Sequence, residues 1–405
     1  MKNKKNVILM ILQKAFPDLR ACQEINALKE NGFEVYVIAP NSEVQTSEYS
    51  VEGYNYIDIS LKQNKFDLLN SMLSNNYNVI LKRIIKDKRF IAIKDRIFAI
   101  HVHDLVLAKL GYNLSKLYSY KFVIDYHENW PAMKEFAGND SAEKYSFKRH
   151  IYNYITSYKR IVNFESEMSN LADKIIVVVD ENKERLAKNY CLNPNKIHVV
   201  SNTKDPVNYI NYGLNMKNES VNIFYHGTIQ RLRGIRTLVE AFKKTENTKI
   251  DMSLTIIGFK EKCKEKEYII NLYKGNIPDN LTLIDWTTDR DLVLKEIQNA
   301  DLCVIPHDKS ELADTTVPNK IFEYMCHGKA ILVSDVKPLK RIVNHTKSGL
   351  LFKASDVEDL RSVLESINSK KELLEFSRNA RKSVEGEFNW NNDVNELVKL
   401  YGDLL

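Results

Sequence analysis

The segment Asp314-Thr315-Thr316-Val317-Pro318-Asn319-Lys320-Ile321-Phe322-Glu323-Tyr324-Met325-Cys326-His327-Gly328-Lys329 has residue types suited to holding a nucleotide. It lies between two short apolar runs, Leu302–Ile305 and Ala330–Val333, each with the pattern of a buried strand. Asp314, Thr315 and Thr316 are candidate N-caps, and Pro318 suits the first helical position. A helix starting there would aim free N–H groups and a partial positive charge at the preceding loop, an arrangement that receives phosphate. Helical spacing groups Asn319, Lys320 and Glu323 on one face and leaves Ile321, Phe322 and Met325 for the core. A carboxylate one turn inside such a helix can accept hydrogen bonds from a diol. Diphosphate at the helix tip and ribose at Glu323 together describe a nucleotide. An ordinary strand–helix–strand unit with a surface glutamate fits the same residues.

Other reactive side chains sit where apolar runs end. Arg231 and Arg233 follow the run Val221–Tyr225 and the Gly227 turn, where positive charge can meet an anionic leaving group. His127 closes Phe122–Tyr126, and Asp104 closes Phe98–His103. Asp18 and Arg20 follow the first run, Val7–Leu12. Ligands of parallel sheets gather at strand ends, so His127 is a candidate for contact with a reacting group. A capping histidine and surface arginines are the plain alternatives. His101 and His103 face one side of their strand and are assigned no role. No G-x-x-x-x-G-K-[ST] and no strand followed by G-x-G-x-x-G is present, which excludes a P-loop and a dinucleotide fingerprint.

The elements that must position these residues are visible as short Val- and Ile-rich runs separated by helical patterns. In the first half they are Val7–Leu12, Val35–Ala39, Tyr56–Ile59, Phe98–His103, Phe122–Tyr126, Ile175–Val179 and Ile197–Val200. In the second half they are Val221–Tyr225, Leu254–Ile257, Leu281–Ile284, Leu302–Ile305 and Ala330–Val333. Continuous apolar strands alternating with helices predict α/β domains with parallel sheets covered on both faces. The 405 residues suit two such domains. The polar stretch Ser201–Ser220 is the natural linker. The expected division is an N-terminal Rossmann-like domain over 1–205, a C-terminal one over 206–386, and a terminal helix over 387–405, with the two doubly wound domains facing across a cleft.

Hydrophobic content of 44% and charged content of 28% are those of a soluble globular chain, and no run of 18 apolar residues occurs. The basic start and the run Val7–Leu12 lack a cleavage site and read as a first strand. Five scattered cysteines without Cys-x-x-Cys argue against a metal or disulfide framework and suit a reducing cytoplasm. The net charge of +6 is concentrated: residues 61–96 hold nine Lys/Arg against three Asp. A second basic, aromatic stretch runs from Lys144 to Arg160. Such segments suit an anionic membrane surface, nucleic acid, or a solvated helix face.

Pro318-Asn319-Lys320-Ile321-Phe322-Glu323-Tyr324-Met325, followed by Gly328-Lys329, resembles the donor-binding helix of GT-B glycosyltransferases, in particular the retaining group called glycosyltransferase family 4. Further pieces resemble the family in order. They are Phe16 to Arg20 with Glu24 and Asn31–Val35, His101–Asp104, Asp125–Glu128, Tyr225–Thr228 through Gly234, and Phe388-Asn389-Trp390. The family usually carries two glutamates with seven residues between them. The second matches Glu323, and the first falls on Thr315, with Asp314 the nearest acid.

The resemblance implies a retaining, cytoplasmic hexosyltransferase. It would move a sugar from a nucleotide-sugar donor, UDP-sugar first and GDP-sugar next, to a glycan or lipid-linked acceptor in bacterial envelope polysaccharide synthesis. It further implies that His127 reaches the donor sugar and that Arg233, before Gly234, meets the leaving phosphate with Arg231 in support. Gly227 and residues 314–320 would hold the donor, Glu323 the ribose, and Asp18, Arg20 and Asp104 would lie on the acceptor side. No cofactor or metal and no nucleic-acid partner is expected. Residues 61–96 would then meet the inner face of the membrane. A non-catalytic GT-B scaffold subunit and a GT-B nucleotide-sugar epimerase are the alternatives.

Overall fold

A computed structural model of the chain describes residues 6–13, 16–39, 53–58, 77–139, 157–210, 213–216, 219–245 and 249–405. It divides into two compact units, Met1–Ser201 with Asp393–Leu405, and Asn202–Asn392. The first is built on seven parallel strands: β1 (Val7–Ile11), β2 (Glu34–Ala39), β3 (Asn55–Asp58), β4 (Ile97–His103), β5 (Lys121–Tyr126), β6 (Lys174–Val177) and β7 (Ile197–Val199), in the order β3-β2-β1-β4-β5-β6-β7. The second has six: β8 (Val221–His226), β9 (Met252–Phe259), β10 (Leu281–Asp285), β11 (Leu302–Ile305), β12 (Ala330–Ser334) and β13 (Gly349–Phe352), in the order β10-β9-β8-β11-β12-β13. Each unit is therefore a doubly wound parallel α/β domain, as the apolar runs predict.

Burial explains why those runs are continuous. All five residues of β1 and all four of β11 are buried, because helices cover both faces of each sheet. β13 is the one strand of the second sheet that the sequence did not announce. Its residues Gly349, Leu350 and Leu351 are only partly buried at the sheet edge, so the run is short and starts on glycine. The terminal helix, Trp390–Gly402, buries Leu397, Leu400 and Tyr401 and lies mostly in the first unit.

The strand order reverses direction once in each sheet, between β1 and β4 and between β8 and β11. Connections leave those neighbouring strands toward opposite sides, which opens a crevice beyond their carboxyl ends. Both groups of candidate residues lie at these points.

Candidate functional site

In the second unit the β8 end and its loop set the geometry. Gly227 has φ +129°, and a Cβ there would sit 2.8 Å from Lys320 Nζ. Gly234 has φ +67°, and its Cβ would fall 1.6 Å from the Pro306 carbonyl oxygen, so the loop presses directly on the end of β11. Between them a short turn, Arg231–Arg233, presents the two arginines. Arg233 Nη1 donates to His307 Nε2 at 3.1 Å. Burial, then Arg233 and Lys320, hold the His307 pKa well below its ordinary value, so the ring is neutral and its Nε2 accepts. Arg231 is exposed.

Glu323 lies in the helix Lys320–Cys326 with its carboxylate 3.4 Å from His226 Nε2. Burial acts to raise its pKa, but the His226 hydrogen bond and charge, with Lys204 and His327, outweigh burial and hold the carboxyl below the usual range. Tyr324 Oη accepts from the His226 backbone N–H at 3.2 Å and lies 3.0 Å from His226 Nδ1. With Nδ1 engaged by the tyrosine hydroxyl, Nε2 is the ring nitrogen that faces Glu323. Lys320 Nζ donates to the His226 carbonyl at 2.5 Å and sits 3.9 Å from the centre of the Tyr225 ring. Burial and Arg233 push its pKa well down, against the pull of Glu323.

The expected helix start needs correction. The helix begins at Lys320, and Asn319 at its N-cap makes no side-chain cap bond. Pro318 therefore lies before the helix, and its carbonyl accepts from Ile321 N–H at 3.1 Å. Thr315 and Thr316 spend their hydroxyls on the carbonyls of Glu311 and Leu312, at 2.6 and 2.8 Å. Asp314 accepts from Lys309 Nζ at 2.9 Å and from the Lys337 backbone at 3.0 Å. These three residues shape the preceding turn rather than cap the helix, and Val317 is buried while Asn319 is exposed. Gly227, Arg233, Lys320 and Glu323 do converge. His226, His307, Lys204 and Tyr324 join them unannounced; the position of His226 and His307 just beyond strands at the switch point was the available signal.

In the first unit the carboxyl ends of β4 and β5 carry a buried polar cluster. His127 Nε2 lies 3.0 Å from Asp125 Oδ2 and 3.1 Å from His103 Nδ1. Asp104 Oδ1 accepts from the His127 backbone at 3.1 Å and from Trp130 Nε1 at 3.2 Å, while its Oδ2 lies 3.6 Å from His127 Nδ1. These contacts hold Asp104 in a costly left-handed conformation, φ +67°. Burial favours the neutral ring, but Asp104 and Asp125 overcome it and raise the pKa to about 9, so the ring is cationic at neutral pH.

Arg20, expected toward an acceptor, turns inward instead. It is 9% exposed, donates to both oxygens of Asp125 at 3.0 and 3.1 Å and to the Val200 carbonyl at 3.2 Å, and pairs with Glu24 at 3.0 Å. The reason is the charge of Asp125, which is fully buried and needs a partner. Asp18 caps the helix Leu19–Glu30 through Ala21 N–H at 3.1 Å. Together with Leu12, Gln13, His103, Asp104 and His127 it lines a small recess. His101 accepts from Tyr401 Oη at 2.8 Å and stacks on His103. Among the described residues, Glu24, His101, His103 and Asp125 have the chemistry of metal ligands, with one ligand atom of each within 4.8 Å of the others. The Arg20 guanidinium lies 3.0 Å from both carboxylates, so a fixed cation already fills that role.

Residues 20–206 match the family described as Glycosyltransferase Family 4, and residues 213–383 match Glycosyl transferases group 1. The chain has the domain pair and the fold of a GT-B glycosyltransferase. Sucrose-phosphate synthase from Thermosynechococcus elongatus superposes with a TM-score of 0.67 at 16% identity over 99% of both chains. The Anabaena protein Alr3699/HepE in complex with UDP superposes at 0.66, with 12% identity over 98% of this chain and 99% of that one. At such identities the likeness establishes the shared GT-B architecture. A curated relative, an uncharacterized glycosyltransferase of Methanocaldococcus jannaschii, is 19% identical over 187 residues. That match spans about half of each protein, 46% of the GT-B chain and 46% of the relative.

Proposed function

We propose that this GT-B chain transfers a hexosyl group from a nucleotide-sugar donor to a glycan or lipid-linked acceptor, with retention of anomeric configuration. UDP-sugar is the first candidate donor and GDP-sugar the next; Alr3699/HepE, of the same fold, was solved with UDP. The observation that carries this reading is the ionised Glu323 beside His226 at the β8–β11 switch point, with Arg233 and Lys320 next to it. Glu323 is one-fifth exposed and can accept hydrogen bonds from a ribose diol. Arg233 and Lys320 supply positive charge to a diphosphate without a metal. An arriving diphosphate favours the protonated form of Lys320, which burial alone disfavours.

We infer a front-face route, which needs no carboxylate beneath the anomeric carbon. In it the leaving phosphate oxygen takes the proton of the incoming hydroxyl. The protein then contributes positioning and charge stabilisation. His127, cationic rather than neutral, would donate to the donor sugar or its leaving group. Thr315 in place of the first family glutamate is the feature that favours a non-catalytic binding subunit, which would hold nucleotide and turn nothing over. Calorimetric titration with UDP, GDP, ADP and dTDP, followed by turnover of the matching sugars, tests the proposal. One nucleotide binding and its sugar being transferred supports it; binding without transfer supports the scaffold.

An envelope acceptor also implies work at a membrane surface. Of residues 61–96, those before 77 lie outside the described residues. In the helices Tyr77–Lys86 and Lys88–Ile93, Lys82, Arg83, Lys86, Lys88 and Arg89 are exposed. Arg89 is paired with Asp87 at 2.8 Å and contributes less net charge than its position suggests. The five are each worth up to about 1 kcal/mol near an anionic surface. Replacing them with glutamine should abolish flotation with anionic liposomes at low salt. Unchanged flotation, or none from the wild type, would return the strip to a solvated face.

A further inference from the structure

The surroundings of Lys320 in the second unit suit a positive charge poorly. Its Nζ donates to the His226 carbonyl at 2.5 Å and lies 3.9 Å from the centre of the Tyr225 ring. An ammonium has three N–H groups, and this nitrogen has a single oxygen acceptor among the described residues. The carbonyl and the ring face favour a cation, but neither carries a full negative charge. Glu323, one turn along the helix, directs its carboxylate to His226 Nε2 at 3.4 Å. Among the described residues no carboxylate forms an ion pair with Lys320, and Arg233 acts on it as a like charge.

The same place has donors without acceptors. Tyr225 is fully buried, and its hydroxyl has no hydrogen-bond partner. A Cβ on Gly227 would stand 2.8 Å from Lys320 Nζ and 4.0 Å from Tyr225 Oη, so both atoms border the face of this glycine that carries no side chain. Its φ of +129° keeps that face bare, because other residues rarely adopt it. Arg233, whose charge acts on both Lys320 and Tyr225, uses one of its five N–H groups on His307. A group of unused donors is the complement of an anion rich in oxygens, such as a diphosphate.

We propose that Lys320 takes up one proton from solvent as the donor's diphosphate binds, so that donor affinity falls as pH rises. The inference rests on the reading of Lys320 and Arg233 as contacts of the diphosphate. The lysine amine takes a proton from solvent, the ammonium formed pairs with a phosphate oxygen, and the proton returns to solvent when the nucleoside diphosphate leaves. Burial and Arg233 hold the lysine well below its ordinary pKa in the free protein, against Glu323. A bound anion opposes both effects and raises it, and uptake occurs between the free and the bound value. The groups facing Lys320 are Glu323 and Tyr324 on its own helix, Tyr225 and His226 on β8, Arg233 in the loop that follows, and His307 beyond β11. Lys204, at the start of the second unit, acts on Glu323. Burial pushes Tyr225 up to about 12, and burial with Arg233 and Lys320 holds His307 well down, so both are neutral at neutral pH.

The test is calorimetric titration of the full chain with UDP, and with GDP if UDP does not bind, from about pH 7.5 to about pH 8.5, above the last phosphate ionisation near about pH 6. Each titration is repeated in buffers of different ionisation enthalpy, and the dependence of the observed heat on that enthalpy counts the protons taken up. The wild type should take up between about 0.5 and 1 proton per diphosphate bound, and its Kd should rise about three- to tenfold per pH unit. Lys320→Arg keeps a charge that does not titrate and should bind with uptake below about 0.1 proton. Uptake below about 0.1 proton in the wild type, or uptake retained in Lys320→Arg, would overturn the proposal. If Lys320→Arg fails to fold or to bind, His226→Gln decides: uptake that persists there supports Lys320, and uptake that disappears assigns the proton to His226 and overturns it. A wild type that binds neither nucleotide removes the donor reading and this inference with it, whereas binding without uptake removes this inference alone.

Discussion

Replacing Asp125 with alanine is expected to destabilise the first unit by about 3–5 kcal/mol. Asp125 is fully buried and receives two hydrogen bonds from Arg20 and one from His127. These partners hold its pKa well below the ordinary carboxylate value against the opposing effect of burial, so it is ionised at neutral pH. Its removal leaves Arg20, 9% exposed, and His127 facing a gap with two positive charges. Glu24 remains beside Arg20 and places the loss toward the lower end of the range. Denaturant unfolding followed by the fluorescence of Trp130, which bonds Asp104 in the same cluster, reads this unit. Asp125→Asn keeps the shape and one acceptor and should lose less. A loss below about 1 kcal/mol for Asp125→Ala would mean that the charges are solvated, contrary to the structure.

Arg233→Ala is expected to lower turnover by about 10²- to 10³-fold while changing nucleoside affinity little. Its guanidinium is oriented by neutral His307 and by a loop that Gly234 alone can close against Pro306. The charge matters most when the donor phosphate departs, so the loss belongs in kcat rather than in binding of the uncharged nucleoside. Measuring kcat and nucleoside affinity on the same variant separates the cases. Equal losses in both would show that Arg233 only shapes the pocket.

Most of the twelve strand runs were legible because β strands buried on both faces need uninterrupted apolar residues; the half-exposed edge strands β3 and β10 showed only through their own Tyr, Ile and Leu residues. β13 was not legible, since an edge strand with three half-buried residues does not need them. In the site, Glu323 and Lys320 were legible from helical spacing. The roles of Thr315 and Thr316 were not: a hydroxyl bonded to a carbonyl four residues back looks the same in sequence as one that caps a helix. Arg20 and Asp125 are 105 residues apart, and nothing in either local pattern shows that they pair. Histidines 101 and 103 could be placed on one strand face, but only the packing of the first helix and the terminal helix against that face gives them partners.

The central claim is that the second unit holds a nucleotide-sugar donor through Glu323. Calorimetric titration of wild type and Glu323→Ala with the best-binding nucleoside diphosphate tests it most directly, with thermal unfolding as the folding control. The loss expected is about 1.5–3 kcal/mol, the range for hydrogen bonds to a charged group, or roughly 10- to 150-fold in Kd. Wild-type affinity in a folded Glu323→Ala protein, or no nucleoside diphosphate bound by the wild type at about 1 mM, would contradict the account.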